Sequence, residues 1–116
     1  MRYARRVLGL IWLIPLVFIV VTPASDKGAN GKDLYKQSCR VCHDKGSPNG
    51  EFSPMTLIEG QWKRFFNTKL SITHKDVVLP GQSKKLLEAL TPEQIKTIQK
   101  FCVDHAADSE QPQTCS

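Results

Sequence analysis

Methionine is scarce in this chain. There are two in 116 residues, Met1 and Met55, and none in the late part of the sequence. A soft thioether ligand late in the chain is therefore excluded. No apolar run reaches the roughly 18 to 20 residues that a membrane-spanning helix needs; the run from Val7 to Val21 has 15 and is interrupted by Pro15. Cysteine is absent before Cys39, which leaves no early thiol for a lipid anchor. Strand-like alternation and internal repeats are also missing, so the fold class expected is all-α. Charge is not one-sided, with 16 Lys and Arg against 11 Asp and Glu. That balance gives a nucleic-acid partner little support.

What is present begins with an export signal. Arg2, Arg5 and Arg6 form a basic start, the apolar run follows, and Thr22-Pro23-Ala24 supplies small residues at a cleavage point. Residues 1–24 are expected to be a signal peptide or, if retained, an N-terminal anchor. Residues 25–116 are expected to be the working domain, exported to the periplasm, monomeric and without a membrane span once the leader is removed. Three of the five excess positive charges lie in the leader, so the basic balance is chiefly a targeting feature.

The tightest chemical constraint is Cys39-Arg40-Val41-Cys42-His43. Cys-x-x-Cys-His is the pattern of covalent haem attachment. Cysteines about one helical turn apart can reach two vinyl groups on one porphyrin edge, and the adjacent His43 then meets the iron. Zinc would need a second well-spaced pair, and a thioredoxin-like site would need a βαβ setting; the sequence offers neither. One covalent haem c is the cofactor expected. Cys102 and Cys115 then remain for a disulfide in an oxidising compartment, contributing about 2 to 3 kcal/mol; the alternative is two quiet thiols.

Helical spacing places Leu34, Tyr35, Ser38 and Val41 on one face of a helix from Lys32 to about Cys42. Residues 44–54 hold two Gly and two Pro and read as a loop. Ser53 and Pro54 look like the start of a helix running to about Thr68, with Leu57, Ile58, Trp62, Phe65 and Phe66 apolar. Residues 67–75 fit no single pattern. A short helix is expected from Lys84 to Leu90, and a final one from a capping box at Thr91-Pro92-Glu93-Gln94. Its buried stripe would hold Ile95, Ile98, Phe101, Cys102 and His105. Leu86 and Leu87 join the apolar residues expected in the pocket or core, and Trp62 belongs there too, unless its indole donor reaches a propionate.

Gly31-Lys32-Asp33-Leu34-Tyr35 ahead of Cys39 to His43 resembles the opening of small soluble c-type cytochromes. Downstream the chain is similar to exported bacterial bis-histidine cytochromes related to the dihaem cytochrome c family. In those, the haem motif is followed by a Trp, a His and an Ala-Ala-Asp-like segment, here Trp62, His74 and Ala106-Ala107-Asp108. This chain departs from them in having one haem motif. The resemblance implies a small domain of three to five short helices wrapped around one haem.

What meets the second face of the iron decides the function. His74 lies 31 residues beyond His43, enough chain to cross the haem and return, and is the expected distal ligand. Met55 is the reserve, His105 a further alternative, and an open or water-bound iron the last. Bis-imidazole ligation suits a one-electron carrier serving redox partner proteins, and not an enzyme. The rivals are a gas-binding or sensor module with a displaceable distal ligand, and a small peroxidase, for which no distal acid and base pair is evident. Lys63, Arg64, Lys69, Lys75, Lys84, Lys85, Lys96 and Lys100 would either ring the haem edge or form a solvated surface. Arg40 or Arg64 would meet a propionate.

Overall fold

The computed structural model describes residues 30–112. The leader or anchor at 1–24, most of the lead-in, and Cys115 with its pairing to Cys102 lie outside the described residues. Within them the chain is mostly helical and forms no strand, with one isolated antiparallel bridge between Val78 and Lys85. No described helix is long and apolar enough to cross a membrane.

Four helical stretches build the domain: α1 over residues 31–43, α2 over 59–73, α3 at Leu86–Ala89 and α4 at Pro92–Asp104. Asn30 caps α1 by accepting from the Asp33 N–H at 3.0 Å. The expected start of α4 is realised. The Gln94 N–H donates to Thr91 Oγ1 at 3.2 Å, and the Thr91 N–H donates to Gln94 Oε1 at 2.9 Å.

The start of α2 differs from expectation. Ser53 and Pro54 open only a single 3-10 turn, Pro54–Thr56, closed by Thr56 Oγ1 accepting from the Ser53 N–H at 2.8 Å. Leu57 and Ile58 are extended, and the helix begins at Glu59. Two side chains hold that start. Gln61 Oε1 accepts from the Ile58 N–H at 3.1 Å, and Asp108 Oδ1, 49 residues away, accepts from the Glu59 N–H at 2.8 Å. The same junction is tied by Ala107 N–H to the Leu57 carbonyl at 3.1 Å. A cap drawn from the far end of α4 is invisible to local pattern. The helix also continues past Thr68 to Thr73, because a π turn in its middle resets the apolar face.

α4 is the spine against which α1 and α2 pack. Leu34, Tyr35, Trp62, Ile98, Cys102 and Ala106 are the buried cluster, with Phe65, Phe66, Leu90 and Phe101 half-buried beside it. Tyr35 and Phe101 rings meet at 5.6 Å across the α1–α4 contact. The helices cross closest at Gly31, where a Cβ would stand 2.7 Å from Phe101 Cβ and 2.9 Å from the Thr97 carbonyl oxygen. Only glycine permits that approach. Trp62 is core, as its spacing suggests, and its indole N–H donates to the Pro54 carbonyl at 2.7 Å. The donor is thus committed to backbone, away from any propionate role.

Candidate functional site

Both α1 and α2 contain a π turn, and each turn precedes a histidine. In α1 the segment Lys36–Arg40 is π-helical, with the Val41 N–H bonding back to the Lys36 carbonyl. In α2 the segment is Phe65–Lys69, with the Leu70 N–H bonding to the Phe65 carbonyl. At about 100° per residue, an unbroken α-helix would leave His43 roughly 180° from Leu34, and His74 roughly 120° from Trp62. One extra residue in a π turn removes about 100° of that drift. His43 thereby comes round toward the buried Tyr35 side, and His74 returns to the face of buried Trp62.

The consequence is a shared apolar cavity of about 250 Å³. Cys39, Cys42 and His43 line it from α1, and Trp62, Phe65, Phe66, Leu70, Thr73 and His74 from α2. Phe52 and Leu57 come from the intervening segment, Val77, Leu79 and Leu86 from the stretch into α3, and Cys102 from α4. The expected quartet of Cys39, Cys42, His43 and His74 therefore meets in one place. Met55 is not among the lining residues. His105 lies apart from them, tilted against Phe101 at 4.9 Å, bonded through Nδ1 to the Gln111 carbonyl at 2.8 Å, and facing a polar pocket with Glu59 and Asp104.

His43 is held by the loop that follows it. Gly46 and Gly50 both have positive φ, at 75° and 89°, which folds residues 44–52 back over the end of α1. The Phe52 N–H donates to the His43 carbonyl at 3.0 Å, and Ser47 Oγ donates to the Cys42 carbonyl at 2.6 Å, so the helix end is satisfied. The Gly50 carbonyl then lies 2.9 Å from His43 Nδ1. A carbonyl only accepts, so Nδ1 carries the proton and Nε2 of the neutral ring keeps its lone pair. Tyr35 Oη secures the same loop by donating to the Phe52 carbonyl at 2.7 Å.

His74 reaches the same tautomer by a different route. Thr73 Oγ1 donates to the Lys69 carbonyl at 2.9 Å and lies 2.7 Å from His74 Nδ1. With its single proton used, the hydroxyl must accept from Nδ1–H, and Nε2 again keeps its lone pair. Burial, then the facing His43, lowers the proton affinity of His74 from the ordinary histidine value. A phenylalanine stands edge-on to each imidazole: Phe52 to His43 at 5.1 Å, and Phe65 to His74 at 5.7 Å.

The two imidazole centroids are 6.1 Å apart. A metal ion ligated by both rings, at about 2 Å from each nitrogen, places the centroids roughly 6 Å apart once the ring radii are added. The spacing thus fits one ion between two histidines. Among the described residues no cluster of three or more His, Cys, Asp or Glu is placed to hold a metal.

The Cys39 thiol is held protonated by its surroundings. Burial, with a smaller contribution from Cys42, pushes it up to about 12. Redox-active Cys-x-x-Cys sites work the opposite way, by lowering a thiol into the neutral range. Of the cationic rim, Lys63, Lys85, Lys96 and Lys100 pair with Glu59, Asp76, Glu93 and Asp104. Among the described residues, Arg64, Lys69, Lys75 and Lys84 make no such pair. Arg40 bonds Asp44 at 3.2 Å. Sequence reasoning missed Phe52, Leu70, Val77 and Leu79 as cavity wall, and Thr73 as the partner of His74. Adjacency to His74 was the one signal that pointed to Thr73. Compared with known proteins, the chain matches no family model, no curated protein and no solved structure.

Proposed function

We propose that this chain is an exported monohaem c-type cytochrome that carries single electrons between redox partner proteins. The reading is carried by one observation: two imidazoles, each with Nδ1 committed to an oxygen acceptor, stand 6.1 Å apart in an apolar cavity also lined by Cys39 and Cys42. When bound, haem supplies a ferric–ferrous couple that takes one electron from a reduced donor protein and passes it to an oxidised acceptor.

The chain's own residues do the rest. Cys39 and Cys42 are the sites of thioether attachment, with Cys39 held as a neutral thiol until it is consumed. His43 and His74 would be the iron ligands through Nε2. Phe65, Phe66, Leu70 and Leu86 exclude water and lower the local dielectric, which helps set the potential. An apolar volume of 250 Å³ without contacts would cost about 6 kcal/mol, at about 24 cal/mol per Å³. That is comparable with the whole stability of a small domain. A cavity of this size and character supports the reading that an apolar group fills it.

A second reading, a gas-binding module, draws on the different hold on His74, whose ring is anchored by a neighbouring hydroxyl and not by a loop carbonyl. Optical and EPR spectra of the purified holoprotein in both oxidation states, with and without CO, separate the two. A six-coordinate low-spin iron indifferent to CO is expected, and His74→Ala should turn it high-spin. A five-coordinate ferrous iron that takes up CO rapidly would exclude the carrier, and a mature protein without haem would end both readings.

A further inference from the structure

We propose that Thr73 is a positioning residue for His74: its hydroxyl fixes the imidazole's tautomer and ring angle, and so sets how strongly Nε2 donates to the iron. The proposal rests on the haem reading above. Its geometric basis is the two-step relay from the Lys69 carbonyl to Thr73 Oγ1, at 2.9 Å, and from Thr73 Oγ1 to His74 Nδ1, at 2.7 Å.

The first bond by itself is ordinary. Thr68 makes it to the Arg64 carbonyl and Thr97 to the Glu93 carbonyl, both at 2.8 Å, as threonines inside helices commonly do. What separates Thr73 is that its oxygen goes on to receive the imidazole N–H. Donation to Lys69 uses the hydroxyl's only proton and points its lone pair at Nδ1, so one rotamer serves both bonds. A β-branched side chain holds that rotamer at low entropic cost. The ring of His74 is thereby tied to the backbone of α2, one turn back, beside the π turn that aims it.

A hydrogen bond accepted from Nδ1–H makes the opposite nitrogen a stronger donor, and outer-shell partners of this kind typically alter metal affinity 10- to 100-fold. A stronger donor favours ferric over ferrous iron. Loss of the Thr73 oxygen should therefore raise the reduction potential and loosen His74 in the ferrous state. A tenfold change in ferric-over-ferrous preference corresponds to a rise of about 59 mV.

The test uses the holoprotein with Thr73→Val, Thr73→Ser and, as a control that loses only the ordinary helix bond, Thr97→Val on α4. Thr73→Ala replaces Thr73→Val if the valine variant fails to accumulate. Expected is a potential raised by a tenfold shift in preference, CO displacing His74 at least tenfold more readily, and altered low-spin EPR g-values in Thr73→Val. Thr73→Ser should restore all three, and Thr97→Val should match wild type. A Thr73→Val protein indistinguishable from Thr97→Val in potential, CO binding and g-values overturns the proposal while leaving the haem reading intact. An unchanged low-spin spectrum in His74→Ala removes His74 as the ligand and overturns the proposal at its base.

Discussion

The two histidine arms reach the same end by unlike means. His43 ends a helix whose chemistry is written in five adjacent residues, and its Nδ1 bonds a loop carbonyl set by two glycines with positive φ. His74 belongs to no local motif. Its place depends on a π turn, on a neighbouring hydroxyl and on a helix whose start is capped from 49 residues away. A covalent or metal site built from one local arm and one fold-dependent arm is rigid on one side and tunable on the other. In the proposed reading, the local arm would acquire the group and the fold-dependent arm would set what it does.

The sharpest way to break the comparison is to remove the π turns. Deleting Asn67, an exposed residue in Phe65–Lys69, should convert α2 to an unbroken helix and swing His74 by about 100°. We expect loss of the low-spin bis-imidazole spectrum with haem still covalently attached, read by EPR and mass spectrometry. Deleting Gln37 from Lys36–Arg40 should do more, because it displaces Cys39, Cys42 and His43 together from the face set by Leu34 and Tyr35. There the expected result is loss of most covalent haem. Retention of a wild-type spectrum in either deletion would show that the turns do not aim the histidines.

Next in size is the contact that supports both arms. Gly31→Ala puts a Cβ within 2.7 Å of Phe101 Cβ and 2.9 Å of a backbone oxygen, and backbone cannot yield as a flexible side chain would. The α1–α4 crossing must open, at about 1 to 3 kcal/mol. For a domain of this size each kcal/mol lowers Tm by about 4 to 8 °C, which a thermal melt of the holoprotein measures. A melt unchanged by the substitution would mean that the two helices are not held at this distance.

How much of this was legible in the sequence follows the same division. The α4 capping box and the helical faces that carry Leu34, Tyr35 and Ile98 are local or periodic, and the fold realises them. The 3-10 turn at Pro54, the late start of α2 and the cavity role of Leu70, Val77 and Leu79 were not legible. Each depends on a partner distant in sequence or on a one-residue insertion that breaks the 3.6-residue period. His74 entered the reading through its reach and through the resemblance; the device that turns it inward was not legible.

The smallest test compares the two helix starts themselves. Asn30 caps α1 from three residues away, whereas Asp108 caps α2 across the fold. Asn30→Ala and Asp108→Ala should each cost about 1 kcal/mol, measured by denaturant unfolding. Their effects should add to within about 0.5 kcal/mol in the double variant, because the two caps share no partner. The variants should differ at the site. Loss of Asp108 frees the first turn of α2, the helix that carries His74, and should broaden the low-spin EPR signal. Loss of Asn30 loosens α1 at the end remote from His43, beyond the Tyr35 bond that pins the loop over His43, and should leave that signal sharp. Equal broadening in both would show that α1 and α2 transmit disorder alike, and that the local arm is no more rigid than the one the fold supplies.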